Sequence, residues 1–155
     1  MKNQKGFSLV ELLVVVIIIA IIAAIAIPNL LASRRASNEA SAISSLRTIH
    51  SAEVTYYSAY GSNTNYATID VLDDTDVELI DGVLALGAKS GYLFASTIAV
   101  NEYCATAIPA VTTGPTRTGD RRFAVSTPGV VYQSTGDPGC AAGVLTQGAS
   151  SSAIQ

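Results

Sequence analysis

The stretch GFSLVELLVVVIIIAIIAAIAIP, residues 6–28, decides the fold of this chain. Its twenty-one residues from Phe7 to Ile27 are apolar except for Ser8 and Glu11. As a helix they would be about 31 Å long, which matches the hydrocarbon core of a bilayer. The apolar run is longer than that of a secretory signal peptide, and no small-residue cleavage site follows it. The stretch therefore predicts a membrane-spanning helix.

Helical character continues beyond the apolar run. Residues 29–60 contain no Gly or Pro, and Gly61 is the first residue that would end the helix. Apolar residues recur at helical spacing in this part, interrupted by Glu53, and they are Ala42, Leu46, Ile49, Tyr56 and Tyr60. We therefore expect one long helix, with a membrane-spanning half over 7–28 and an amphipathic half over 29–60 that serves as the spine of a domain.

Pro28 lies at the junction of the two halves. It has no N–H to donate, and its ring collides with the carbonyl of Ala24. A kink or a loosened turn is therefore expected between Ala24 and Asn29. A simple bend and a functional hinge both fit this position.

Residues 61–90 are polar and rich in turn formers, which predicts a loop. Its acidic residues are Asp70, Asp73, Asp74, Asp76, Glu78 and Asp81. The EF-hand pattern for calcium fails here, because counting from Asp74 puts Leu79 at the glycine position and Ala85 at the last ligand position. The pattern favours a solvated acidic edge over a calcium site.

Residues 91–140 predict four antiparallel strands in two hairpins. The strands are expected within 91–100, 102–111, 121–126 and 129–134. Asn101 permits a tight connection, and Pro128 with Gly129 suits a type II turn. Pro109 should lie near an edge or a strand end, because it cannot donate to the ladder. The apolar face of such a sheet needs the helix spine as its partner, so the predicted fold class is α+β.

Charge and cysteine content exclude several classes of protein. The formal net charge is −3, and it becomes −5 without Lys2 and Lys5, which argues against a nucleic-acid-coating protein. The two cysteines, Cys104 and Cys140, favour a disulfide in an exported domain, because His50 could not complete a zinc site. A disulfide would place the C-terminal part outside the cytoplasm.

The sequence shows little that points to catalysis or to a cofactor. No nucleophile elbow, P-loop or zinc motif is present. His50 is the sole histidine, and a packed or solvent-facing imidazole is favoured over a catalytic one. Arg117, Arg121 and Arg122 form a small basic patch that is more typical of solvated side chains than of a DNA-binding surface. We therefore expect no enzyme activity, no cofactor and no metal.

The N-terminal segment KGFSLVELLVVVIIIAIIAAIAIP resembles the signature of type IV prepilins and the related pseudopilins. The resemblance covers about thirty residues, and the plan of long helix, loop, strands and late cysteine pair is similar too. It implies the pilin fold, with 61–90 as its variable loop. It also implies a type IVa-like major pilin, the structural subunit of an extracellular type IV pilus.

The resemblance also implies roles for individual residues. Residues 1–6 would be a leader that a prepilin peptidase cuts between Gly6 and Phe7 at the cytoplasmic side, after which Phe7 is N-methylated. Glu11 would pair with the methylated amine of a neighbouring subunit during assembly. From the residues alone, Glu11 could instead reach the headgroups or pair with the amine of its own chain.

Further expectations concern the disulfide, the C-terminus and the partners. The bond between Cys104 and Cys140 would frame a region that is often exposed on the fibre, and residues 141–155 would be a mobile tail. Implied partners are further copies of the chain, the prepilin peptidase, an inner-membrane assembly platform and, before assembly, the lipid bilayer. Nucleic acid is not expected as a primary partner.

Two alternative functions remain open at this point. The first is a minor pilin or a pseudopilin of a type II secretion system, which has the same build. The second is a signal-anchored binding module or enzyme, in which the helix is only a tether. A tether would need neither Gly6 nor Glu11.

Overall fold

The computed structural model describes residues 6–141, 143–145 and 151–154. Its fold is α+β, with a long N-terminal helix and an antiparallel sheet. The chain divides into two compact units, one ending at Arg34 and the other beginning at Arg35. We call the second unit the head.

Helix α1 spans Leu9–Ala59, a length of 51 residues, and passes through Pro28 without ending. The N–H of Gly61 donates to the carbonyl of Tyr56 at 2.8 Å and closes the last turn. A Cβ at Gly61 would collide with the backbone carbonyl of Asn65, so the chain can fold back here only over a glycine. The helix therefore ends where the sequence predicted.

The loop after α1 contains two short helical turns. They are a 3₁₀ turn over Val71–Asp73 and helix α2 over Gly82–Ala85. Asp81 caps α2, because its side chain accepts the N–H of Leu84 at 2.9 Å. Lys89 lies 2.7 Å from the other oxygen of Asp81, and this hydrogen bond lowers the pKa of the Asp81 carboxyl.

Six strands form the main sheet, in the order β1-β2-β3-β4-β5-β8, and β6 pairs with β7 in a second sheet. Every pair is antiparallel. The strands are β1 Ala88–Lys89, β2 Tyr92–Ala99, β3 Glu102–Pro109, β4 Arg122–Ser126, β5 Val131–Ser134, β6 Cys140–Ala141, β7 Val144–Leu145 and β8 Ser152–Ile154. Strands β2 to β5 confirm the four that were predicted.

The prediction of a four-stranded sheet is wrong because a short strand is added at each edge. Ala88 pairs with Leu93 on one side, and Val131 pairs with Ile154 on the other. Both added strands are too short to show an alternating pattern in the sequence. The tail expected to be mobile lies partly outside the described residues, and its described part includes β7 and β8.

The two predicted hairpins are present. Asn101 connects β2 to β3 with a φ of 60°, in the left-handed region that Asn tolerates. Between β4 and β5, Gly129 has a φ of 77° and donates its N–H to Ser126 at 2.7 Å. This hydrogen bond closes a turn over residues 126–129. The observed turn therefore lies one residue earlier than the type II turn that was expected with Pro128 and Gly129 at its centre. Pro109 is the last residue of β3, as predicted for a residue that cannot donate to the ladder.

The core of the head lies between helix α1 and one face of the sheet. It contains Ala42, Leu46, Ile49 and Ala52 from the helix, and Tyr92, Phe94, Tyr103, Ala105, Ala107, Phe123, Val125 and Val131 from the sheet. This confirms the expected partnership of sheet and helix spine. Tyr60 was wrongly included in the apolar stripe, because it is 50% exposed, whereas Glu53, predicted to interrupt the stripe, is fully buried.

Candidate functional site

The N-terminal unit exposes a continuous apolar surface. Every large apolar side chain between Phe7 and Leu30 is between 48% and 87% exposed. The described part of the chain contains one helix long and apolar enough to span a membrane, and it is α1. An exposed apolar surface of this extent marks contact with lipid or with other protein. This surface is therefore suited to being covered by lipid or protein and not to catalysis.

Glu11 lies in the first turn of α1 and caps it. Its carboxylate accepts the backbone N–H of Ser8 at 2.9 Å. A Glu at the third helical position that reaches back to the N-cap residue is one half of a capping box. The spacing of Ser8 and Glu11 in the sequence is the signal for this contact, which was not among the roles expected of Glu11. It holds the carboxylate at the start of the helix.

Gly6 and Phe7 precede helix α1 and are exposed. A Cβ at Gly6 would meet nothing within 4 Å. This fold therefore places no steric demand for glycine at residue 6, and any such demand would come from a partner that approaches the backbone. Phe7, at 87% exposed, is equally accessible.

Pro28 lies inside α1, so the carbonyl of Ala24 lacks its usual helical donor. In the same turn, the side-chain amide of Asn29 donates to the carbonyl of Ile25 at 3.1 Å. Polar side chains commonly support the backbone around a proline in this way. The predicted kink at Pro28 stays a prediction.

Cys104 and Cys140 form a disulfide, with their Cα atoms 5.8 Å apart. Cys104 is fully buried in β3. Strand β6 begins at Cys140, so the bond ties the small sheet of β6 and β7 to the main sheet. This confirms the pairing that the sequence analysis expected.

An ion pair between a buried carboxylate and a partly exposed guanidinium joins α1 to the residue before β4. Glu39 is 6% exposed and lies 2.7 Å from the guanidinium of Arg121. The same carboxylate accepts the backbone N–H groups of Asp120 and Arg121 at 2.8 and 3.2 Å. Glu39 was not predicted to be buried, although it lies three residues before Ala42 and thus on the buried face of the helix.

The basic patch of Arg117, Arg121 and Arg122 is largely neutralised. Arg121 pairs with Glu39, and Arg117 pairs with Asp120, which also lies 3.4 Å from Arg35. Only Arg122 of the three has no acidic partner among the described residues. The structure therefore gives no support to a DNA-binding surface on these arginines.

Glu53 lies in an aromatic part of the core. Its Oε2 accepts the N–H of Ala67 at 3.0 Å, whereas its Oε1 has no hydrogen-bond partner among the described residues. The pKa of Glu53 rises to about 7, because burial disfavours the charged carboxylate. Nearby, Nδ1 of His50 is hydrogen-bonded to the hydroxyl of Tyr103, and burial lowers the pKa of His50.

The acidic loop does not assemble a metal site in the part of the chain that the structure describes. No three His, Cys, Asp or Glu side chains there are grouped so that they could hold an ion. The carboxylate of one acidic residue, Asp81, instead caps α2 and accepts a hydrogen bond from Lys89.

Two comparisons with known proteins find matches, and each covers only part of the chain. Residues 1–27 match the family model described as the prokaryotic N-terminal methylation motif. Over 39 residues the chain is 49% identical to the type IV wide pilus major component PilA4 of Thermus thermophilus. That alignment covers 25% of this chain and 30% of the relative, so less than a third of the relative's length is matched. No solved structure matches the chain.

Proposed function

We propose that this chain, whose N-terminal segment is of the type IV pilin kind, is a structural subunit that polymerises into an extracellular type IV pilus. In this proposal its role is structural, and it is not an enzyme. The N-terminal motif and the apolar helix fit a pilin that is anchored in the membrane before it enters the fibre.

One observation carries the proposal: the apolar surface between Phe7 and Leu30, exposed throughout, begins within the methylation motif. A monomer in water could not expose this surface, so lipid or copies of the same helix must cover it. The bilayer would cover it in the stored subunit. Packing of helices against one another would cover it in the fibre, where van der Waals contacts replace contacts with lipid.

Processing would prepare the N-terminus for assembly. We infer that a prepilin peptidase cuts between Gly6 and Phe7, and that the new amine of Phe7 is then methylated. The exposure of both residues and the open space around Gly6 are compatible with approach of a partner. Cleavage also removes Lys2 and Lys5, which makes the mature subunit more acidic.

Glu11 would then guide docking. A carboxylate in the apolar segment costs about 2.5–3.5 kcal/mol at a membrane centre and less near an interface, so a cation that neutralises it favours assembly in a defined register. The cation would be the amine of Phe7 in a neighbouring subunit. The bond from Ser8 holds the carboxylate at the helix start until that amine arrives.

We propose a major subunit of the type IVa-like class, delivered by an inner-membrane assembly platform. Mass spectrometry of purified surface fibres tests this directly: we expect a chain that begins with methylated Phe7, contains the Cys104–Cys140 disulfide and dominates the sample. A scarce chain would indicate a minor pilin, and an intact leader would contradict the assignment.

Variants of Glu11 separate docking from helix capping. Glu11→Gln keeps an oxygen that can accept the N–H of Ser8 but removes the charge. If charge pairing drives docking, Glu11→Gln and Glu11→Leu both lose surface fibres while the subunit remains in the membrane. Ser8→Ala, which keeps both the carboxylate and the backbone N–H that it accepts, should still assemble. Normal fibre yield from Glu11→Gln would contradict the docking role, and quantitative immunoblots of sheared fibres and membranes give the readout.

A further inference from the structure

Glu53 is a buried carboxyl that has no cation beside it in the part of the chain that the structure describes. It is fully buried in the head, and none of the ion pairs between described residues includes it. Its one hydrogen bond is from the backbone N–H of Ala67, at 3.0 Å, and its second oxygen is buried with no partner among the described residues. Such a group is stable in the core when it is protonated and costly when it is ionised.

We propose that Glu53 is a buried proton-binding group that holds the segment Gly61–Ala67 against helix α1 when it is protonated and loosens it when it is ionised. We call this segment the return segment, because it leads the chain away from the end of α1. The bond from Ala67 to Glu53 fastens its far end to the helix.

The groups around Glu53 support this assignment. Tyr66 lies on the return segment and Tyr103 on β3, with their rings 4.9 Å apart, and both are electrostatically coupled to Glu53. Burial raises the pKa of both tyrosines, so they are neutral at ordinary pH. His50 lies one turn earlier on α1, contacts Tyr103 and has a lowered pKa because of burial. Among the described residues, ionised Glu53 would therefore have no cation beside it, and the N–H of Ala67 alone would oppose the cost of burying its charge.

The return segment is the element best placed to relieve that charge. Besides the bond to Glu53, it is held by a hydrogen bond from the N–H of Asn63 to the carbonyl of Tyr57 at 3.0 Å and by one from the N–H of Asn101 to the carbonyl of Thr64 at 3.3 Å. The ring of Tyr66 also stacks on that of Tyr57, with their centres 4.7 Å apart. Displacing it would admit water to the carboxylate while leaving the strand ladder intact. Local openings of this kind cost less than global unfolding.

The direction of the pH effect follows from the protonation states. The folded pKa of Glu53 is about 7, above its ordinary value of 4.5, so the closed head holds a proton that the opened state releases. The contribution of Glu53 to the stability of the closed head is therefore complete below about pH 4.5 and is lost as the pH rises through about 7. Release of one proton changes the opening equilibrium by up to tenfold per pH unit in this window.

Amide hydrogen exchange at Ala67 tests the proposal in the full-length chain in detergent micelles. We expect its protection factor to fall by up to tenfold per pH unit between about pH 4.5 and 7, and then to level off. In Glu53→Gln, which can still accept the N–H of Ala67, this fall in protection should be absent. Because wild type and Glu53→Gln both contain His50, any effect of His50 titration on protection appears in both and cancels when they are compared.

Glu102→Gln, at an exposed position on β3, is the matched control and should keep the wild-type pH dependence. An equal pH dependence in wild type and Glu53→Gln would overturn the proposal. If Glu53→Gln does not fold, the carboxyl carbon of Glu53 is titrated by nuclear magnetic resonance in the wild-type chain. A midpoint near the ordinary value of 4.5 would overturn the proposal, and one near 7 supports it.

Discussion

Glu39 and Glu53 show how the same residue type is accommodated differently on one buried helix face. Glu39 is compensated, because the guanidinium of Arg121 and two backbone N–H groups surround its carboxylate. Among the described residues, Glu53 has a single N–H donor and no cation, so protonation is its way of avoiding a buried charge. The first arrangement fixes β4 on the helix, and the second makes the nearby contact sensitive to pH.

Removal of the Glu39 carboxylate should destabilise the head. Glu39→Ala leaves the N–H groups of Asp120 and Arg121 and the guanidinium without their acceptor, so we expect the free energy of unfolding to fall by about 1–3 kcal/mol. Glu39→Gln keeps an acceptor and should lose less. Denaturant unfolding of the full chain, followed by circular dichroism, gives the measurement. Glu102→Gln is the control, and a Glu39→Ala midpoint equal to that of the control would contradict this role.

Residue patterns predicted some of these details and missed others. Gly61, Asn101 and Gly129 could be placed from the sequence, because their backbone freedom is a local property. The environments of Glu39 and Glu53 depend on Arg121 and Ala67, which lie 82 and 14 residues further along the chain. A charged residue in an apolar stripe could be recognised from the sequence, but its partner could not.

At the scale of elements, helix α1 combines two kinds of surface in one run of hydrogen bonds. Its first part is apolar on all sides and exposed, which suits lipid or other copies of the helix. In the head, α1 buries one stripe against the sheet and exposes small and polar residues such as Ser44 and Ser51. Pro28 lies in the first of these parts, where the backbone around it is exposed to its surroundings.

Replacement of Pro28 tests whether this turn is loosened. In Pro28→Ala the new N–H can donate to the carbonyl of Ala24, and the steric clash of the ring is removed, a gain of up to about 3 kcal/mol in helix propensity. We expect slower hydrogen exchange at the amides from Ile25 to Leu30 in micelles. Ile27→Ala, which changes no backbone donor, should leave exchange unchanged. Equal exchange in Pro28→Ala and wild type would show that the turn is not loosened.

The strands illustrate why element edges are harder to predict than centres. Strands β2 to β5 have enough residues to alternate, and turn formers lie between them. Strands β1 and β8 have two and three residues, and they exist because β2 and β5 offer them unpaired backbone groups. Their pairing is a property of the assembled sheet.

At the scale of the whole molecule, the head is closed by covalent and ionic links between distant parts of the chain. The disulfide joins residues 36 apart in sequence, and the Glu39–Arg121 pair joins α1 to β4. The disulfide encloses strands β4 and β5, so the part of the sheet it frames is held even if the C-terminal strands detach.

Loss of the disulfide should lower stability mainly through the unfolded chain. Closing a loop of this length is worth about 4 kcal/mol in chain entropy, so we expect Cys104→Ser/Cys140→Ser to unfold at a clearly lower denaturant concentration. Addition of reductant should shift the wild-type midpoint in the same direction and leave that of the double variant unchanged. Identical midpoints for the oxidised wild type and the double variant would contradict the prediction.

The sequence by itself determined the long helix, its apolar first half, the two central hairpins and the pilin-like N-terminus, because each rests on local periodicity, turn chemistry or a contiguous motif. Only the tertiary structure decided which carboxylates are buried, that Tyr60 is exposed, and that β1 and β8 extend the sheet. These features depend on groups far apart in the chain. Their energies come from desolvation and from backbone pairing, which exist only once the helix and the sheet have packed together.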